Sequence, residues 1–213
     1  MAEEQLPKFT EDDDMTRARA FWKENGRSII FGILLGLAGI AGFNYWNVYQ
    51  QKQGESASIL YEEIIAQTSE SEDAALQAGL ELKENFSATV YAVLGAFHLA
   101  KLHVQNDNLP EAENELRWAL SNSNDNALSH LARLRLAAVL LSSDKADEAL
   151  ELLNVADMST FEVRYQELLG DAYLKQGNRS LAKTAYEKSL SITNEEGMDP
   201  TVIQLKLDNI GES

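Results

Sequence analysis

Between Arg27 and Lys52 the chain carries no charged side chain and no proline, and from Ile29 to Phe43 every residue is apolar or glycine. At about 1.5 Å rise per residue, the roughly 20 helical residues from Ser28 to Trp46 match the ~30 Å hydrocarbon layer of a bilayer. Phe43, Tyr45, Trp46 and Tyr49 then form an aromatic belt where such a helix meets the headgroups. The pattern predicts one transmembrane helix over residues 28–49, with the bulk of the chain beyond it on one side. Arg17, Arg19, Lys23 and Arg27 precede the span and only Lys52 follows it closely. By the positive-inside rule the N-terminus stays in the cytoplasm and the C-terminal domain is exported. The rival is a cleaved signal peptide with Gly39-Ile40-Ala41 as its small-residue site. Its leading segment is too long and too acidic for an n-region, and cleavage leaves the aromatic belt unexplained.

Residues 1–27 read as a cytoplasmic tail. Met1 to Phe9 lacks periodicity and is expected to be disordered. Thr10 resembles an N-cap, followed by Glu11, Asp12 and Asp13 in a first turn. Met15, Ala18, Phe21 and Trp22 recur at helical spacing, and Gly26 is expected to close a short amphipathic helix lying on the inner leaflet. A docking peptide for a cytoplasmic protein fits the same residues. Within the span, Ser28, Gly32, Gly36 and Gly39 share a narrow arc and form a small-residue ridge that a second membrane helix can approach.

Residues 50–213 form an exported domain by this reading. Its acids outnumber its cations: residues 53–213 hold 27 Asp and Glu against 12 Lys and Arg, most of the chain's net charge of −16. Such a surface repels phosphate backbones, excludes nucleic acid as a partner, and favours basic or extended ones. Cysteine is absent, so disulfides and thiol chemistry play no part.

Three prolines in the whole chain and a near-continuous run of helix formers make the domain all-α. Three segments align about a small residue: Leu99-Ala100 with Asp107, Ala112, Leu116 and Ala119; Leu136-Ala137 with Asp144, Ala149, Leu153 and Ala156; Leu169-Gly170 with Tyr173, Gly177, Ala182, Tyr186 and Ser189. Their spacing brackets the 34-residue period of tetratricopeptide repeats, which the third segment resembles most closely. The first two depart from it, with alanine for the first glycine and aspartate for the turn glycine. An opening hairpin (50–86), with a polar turn at Ser69-Glu70-Ser71, precedes repeats over about 87–195. A terminal cap helix (200–210) follows, with Pro200 in its first turn and Val202, Ile203, Leu205, Leu207 and Ile210 shielding the last repeat. The fold class is thus a transmembrane helix followed by a helical-hairpin solenoid.

No catalytic constellation stands out. His98, His103 and His130 lack metal-ligand spacing, acid pairs such as Glu62-Glu63 diverge on a helix, and no phosphate-cradling loop or nucleophile elbow is present. No cofactor or metal site is expected. Binding is the remaining task. In stacked hairpins the first helices line the concave face. That puts Leu94, Phe97, Lys101 and Val104 inward in the first repeat and Leu131, Leu134, Ala138 and Leu141 in the second. In the third the inward residues are Arg164, Glu167, Asp171, Leu174 and Lys175. The candidate protein-binding groove is Leu94, Phe97, Val104, Leu131, Leu134, Leu141 and Leu174, an apolar face rimmed by acids and suited to hydrophobic segments of unfolded chains. A closed alternative has the opening hairpin folded over this face.

Several stretches resemble the ancillary SecYEG translocon subunit family: Phe21-Trp22-Lys23-Glu24-Asn25-Gly26 before the span, Tyr45-Trp46-Asn47 after it, Ala57-Ser58 with Tyr61, and Lys206-Leu207-Asp208-Asn209-Ile210 near the end. The order of parts is more specific than any one motif. The resemblance implies a single-pass protein of the bacterial inner membrane with a periplasmic tetratricopeptide-like domain. It implies a non-enzymatic adaptor that associates with the SecYEG translocon, with a membrane-anchored parvulin-like periplasmic chaperone and other periplasmic chaperones, and with unfolded client proteins. The alternative is a membrane-bound regulator whose N-terminal tail sequesters a cytoplasmic stress-response protein.

Overall fold

The computed structural model describes residues 11–66 and 72–211, and its regular structure is helical throughout. The expected disorder of Met1 to Phe9, the Thr10 cap and the Ser69-Glu70-Ser71 turn lie outside the described residues. The chain forms two compact units, residues 1–52 and 53–213.

The described part of the first unit, from Glu11 onward, is helix. α1 (Glu11–Ala66) contains the whole apolar stretch, and among the described residues it is the one helix long and apolar enough to cross a membrane. Gly26 does not close a separate amphipathic helix as expected, because α1 runs straight through it. The Trp22 ring, one turn earlier, lies over Gly26, where a Cβ would sit 3.4 Å from it. The missing side chain serves as a seat for the indole, not as a stop.

The second unit begins in the last turns of α1. From there Ala57 and Ile64 pack with Ala75, Ala78 and Leu82 of α2 (Glu72–Asn85) and Ala92 of α3 (Val90–Gln105). Three hairpins follow: α3 with α4 (Leu109–Asn122), α5 (Asn126–Ser142) with α6 (Ala146–Leu153), and α7 (Glu162–Lys175) with α8 (Arg179–Glu195). Side chains start several of these helices. Thr89 accepts from the Ala92 N–H, Asp125 from that of Leu128 at 2.9 Å, and Asn178 from that of Leu181 at 3.2 Å.

All three hairpins turn by one mechanism. The first helix ends in a residue of positive φ, Asp107 (57°), Asp144 (58°) or Gly177 (78°). The next N–H then reaches back five residues: Asn108 to His103, Lys145 to Leu140 and Asn178 to Tyr173, at 2.8, 2.9 and 2.8 Å. Aspartate tolerates this conformation better than most side chains, so the two departures from the repeat pattern leave the turn intact.

The aligned small residues are the helix crossings. Ala112, Ala149 and Ala182 are fully buried, as are Ala100, Ala137 and Gly170. One alignment fails: α6 stops at Leu153, and Ala156 lies exposed in the following loop, where a short 3-10 turn (Ser159–Phe161) leads into α7. A continuous apolar core runs through the hairpins from Val93 to Ala172. α9 (Thr201–Gly211) caps it by laying Ile203, Leu207 and Ile210 against Ala182 and Tyr186. Pro200 stands one residue ahead of that helix and contributes its carbonyl to the first turn through the Gln204 N–H.

Candidate protein-binding groove

Helices α3, α5 and α7, the first of each hairpin, line one face with two troughs. The larger, about 650 Å³, lies between α3 and α5. On α3 it takes Leu94, Phe97, Lys101 and Val104, one stripe at helical spacing and all expected there. On α5 the stripe is Leu131, Arg135, Ala138 and Ser142. Leu134, expected as a wall, is instead buried in the core at 4% exposure. The apolar sector of α5 is wide, so a spacing of three then four and one of four then three both fit the letters; packing selects the second. Leu141 belongs to the neighbouring trough between α5 and α7, with Leu168, Leu174 and Asp171. Leu174 is 39% exposed there.

The described residues of the opening segment leave the larger trough open. Tyr61 of α1 lines one end of it, ring to ring with Tyr91 at 6.0 Å, while Val104 remains 41% exposed and Lys101 and Arg135 are exposed too. The rim also differs from expectation. Among the described residues the charged lining side chains of this trough are both cations, Lys101 and Arg135. The described acids lie elsewhere, among them Glu113 on α4, which joins Arg117 and Lys145 at 2.8 and 2.9 Å. Arg135 holds its guanidinium 4.5 Å from the centre of the Phe97 ring, a cation–π contact. The surrounding apolar wall desolvates it and pulls its pKa below the ordinary arginine value, although arginine stays charged at neutral pH. His98 is half-buried beside Lys101; burial first, and that positive charge second, push its pKa down and favour the neutral ring.

The third repeat and the cap are bound by a polar network. Lys206 of α9 reaches both Asp171 carboxylate oxygens at 2.7 Å and Glu167 at 2.8 Å. Asp171 also accepts from the Tyr186 hydroxyl at 2.6 Å, and Glu167 pairs with Arg164. Burial opposes the Glu167 charge, but hydrogen bonds from Lys206 and Arg164 more than offset it and hold the carboxyl below the usual glutamate range. Burial and the Asp171 carboxylate together push the Tyr186 phenol far up. His130 is buried and shares a 2.9 Å hydrogen bond with the Tyr165 hydroxyl while stacking on Phe161, a packing role. In the other unit, a Cβ added at Gly32, Gly36 or Gly39 would meet no described atom within 4 Å, and Ser28 is exposed.

A tetratricopeptide repeat-like domain family matches residues 19–212. Proteins named ancillary SecYEG translocon subunit are similar over nearly the full length. The one from Aggregatibacter actinomycetemcomitans is 31% identical, covering 94% of this chain and 97% of its own. Those from Haemophilus influenzae (30%) and Escherichia coli (28%) cover 94% of this chain and 97% and 96% of theirs. The chain belongs to the ancillary SecYEG translocon subunit family. No solved structure matches it.

For this member of the translocon subunit family, reading the letters locates the α3 wall and misses three contributors. Arg135 lies one turn beyond Leu131, so its position was legible once the stripe was placed on the other side. Tyr61 comes from a distant helix and has no local signal. Lys206 sits within the family-like stretch near the end, but its two carboxylate partners lie on α7, 39 and 35 positions earlier in sequence.

Proposed function

We propose that this protein is a single-pass adaptor of the bacterial inner membrane, its N-terminus cytoplasmic and its helical domain periplasmic, associated with the SecYEG translocon. It performs no chemistry of its own. The domain holds apolar segments in the α3–α5 trough, linking the channel to periplasmic chaperones, among them a membrane-anchored parvulin-like one, and to emerging exported chains. The observation that supports this reading most is the likeness, over nearly the entire length, to proteins named for the translocon. The open apolar trough supports the binding part of it, and the Ser28, Gly32, Gly36 and Gly39 face is the proposed contact for another membrane helix.

Photo-crosslinking in living cells from Val104 and Leu131 tests this. Capture of channel subunits, a periplasmic chaperone or exported chains is the expected result. Capture of none, or a C-terminal reporter enzyme active only inside the cell, removes the proposal.

A further inference from the structure

The domain is strongly acidic, and its cations are mostly spent. Of the 12 Lys and Arg in residues 53–213, eight are ion-paired with carboxylates. Lys101, Arg133, Arg135 and Arg179 are those with no carboxylate partner among the described residues. Arg133 turns instead to the Leu152 carbonyl. Two of the remaining three, Lys101 and Arg135, line the same trough, each one turn along its helix from an apolar wall residue, Phe97 and Leu131. Among the described residues no acid lines that trough.

In a domain of net charge −15 (27 acids against 12 cations), two cations on the α3 and α5 walls of one apolar trough, neither with a carboxylate partner among the described residues, are a local reversal of sign. Acids outnumber cations more than two to one in this domain, yet among the described residues neither side chain has a carboxylate partner. Arg135 is held in place by the Phe97 ring, so its fork of donors is already oriented when a ligand arrives. An apolar segment without charge would fill the floor and leave both cations partly desolvated and unpaired, which costs free energy. A basic segment would meet like charge. A segment that carries a carboxylate beside its apolar side chains satisfies both the floor and the cations.

Resting on the proposed binding role of this trough, we infer that its occupant is an acidic-apolar polypeptide segment, recognised through a carboxylate between Lys101 and Arg135. The surface charge alone would suggest the opposite, a basic partner; the trough selects against one. The segment is extended or helical, with apolar side chains on the Leu94–Val104 and Leu131–Ala138 walls and Glu, Asp or a terminal carboxylate opposite the two cations.

The test uses the full chain in detergent micelles and three fluorescent peptides of equal length and leucine content, bearing Glu, Gln or Lys at the same two positions. The Glu peptide is expected to bind about tenfold more tightly than the Gln peptide, with the Lys peptide weakest. Raising the salt should narrow the gap. Arg135→Gln and Lys101→Gln should each bring the ratio of Glu-peptide to Gln-peptide affinity down towards one. Both side chains are exposed, so the fold should survive, and unchanged helical circular dichroism checks this. Equal binding of all three peptides, or a Glu preference that survives both substitutions, overturns the carboxylate assignment and leaves the apolar trough standing. Failure of every peptide to bind removes both the assignment and the groove on which it rests.

Discussion

The first two repeats and the third build the same hairpin from different residues, and they expose different surfaces. In the third, Gly170 lets the Tyr186 ring lie directly on the α7 backbone, and Gly177 makes the turn. In the first two, Ala100 and Ala137 occupy the crossing, Leu116 and Leu153 take the place of the tyrosine, and Asp107 and Asp144 make the turn. The third repeat spends its polar residues on itself. Arg164, Glu167, Asp171 and Tyr186 are tied to one another and to Lys206 of the cap. The inner face of the first two is left apolar with unpaired cations. The repeat nearest the family pattern therefore anchors the end of the solenoid, and the two that diverge from it carry the proposed recognition surface.

The largest effect should come from the crossing itself. A Cβ at Gly170 would overlap the Tyr186 ring, so Gly170→Leu is expected to cost roughly 3 kcal/mol or more and to loosen α8 and α9. The reverse change at the equivalent site, Ala137→Gly, should cost only about 1 kcal/mol, mainly from helix propensity. Thermal melts of the two variants compare the crossings, and equal losses would mean that the repeats do not differ in this way.

Next is the clamp. Lys206→Met leaves Glu167 and Asp171 without their shared cation. The loss should be about 2 kcal/mol, less than for a fully buried pair because Lys206 is partly exposed. Hydrogen exchange should rise in α9 and the end of α7, and not in α3 or α5. The same network sets an acid response. Glu167 and, on α4, Glu113 have pKa values lowered by their basic partners against the effect of burial. Their contribution is present above the unfolded-state value of about 4.3 and is lost as pH falls through the lower folded values. Urea midpoints should therefore stay level from pH 7 to about 5 and drop below that. The gap between wild type and Lys206→Met should close at the acid end; a gap that persists there would remove the clamp from the account.

The smallest effects should be in the turns. Gly177→Ala forces a Cβ into positive φ and should cost about 1 kcal/mol. Asp107→Gly relieves the same strain and should gain a few tenths of a kcal/mol. Asp144→Gly also removes the partner of Lys175, so its gain should be smaller than that at Asp107. Opposite signs at Gly177 and Asp107 in matched denaturation curves would confirm that one backbone conformation serves all three hairpins.

Periodicity and small residues in the letters were enough to determine the apolar helix, the all-α class, the three turns and the buried alanines. These follow from local rules: length against bilayer thickness, positive φ at a helix end, and space at a crossing. The α3 wall of the trough was legible for the same reason, since Leu94, Phe97, Lys101 and Val104 form one narrow stripe. Other features were settled only by tertiary packing. The wide apolar sector of α5 left Leu134 and Arg135 as rivals for the groove, and burial against the core decided between them. Gly26 read as a stop until the Trp22 ring was seen to occupy it. The pairing of Lys206 with Glu167 and Asp171, and the absence of a carboxylate partner for Arg135 among the described residues, depend on which distant helices meet. Charge counted along a chain gives a sum of −16, whereas binding responds to where the unpaired charges lie in space.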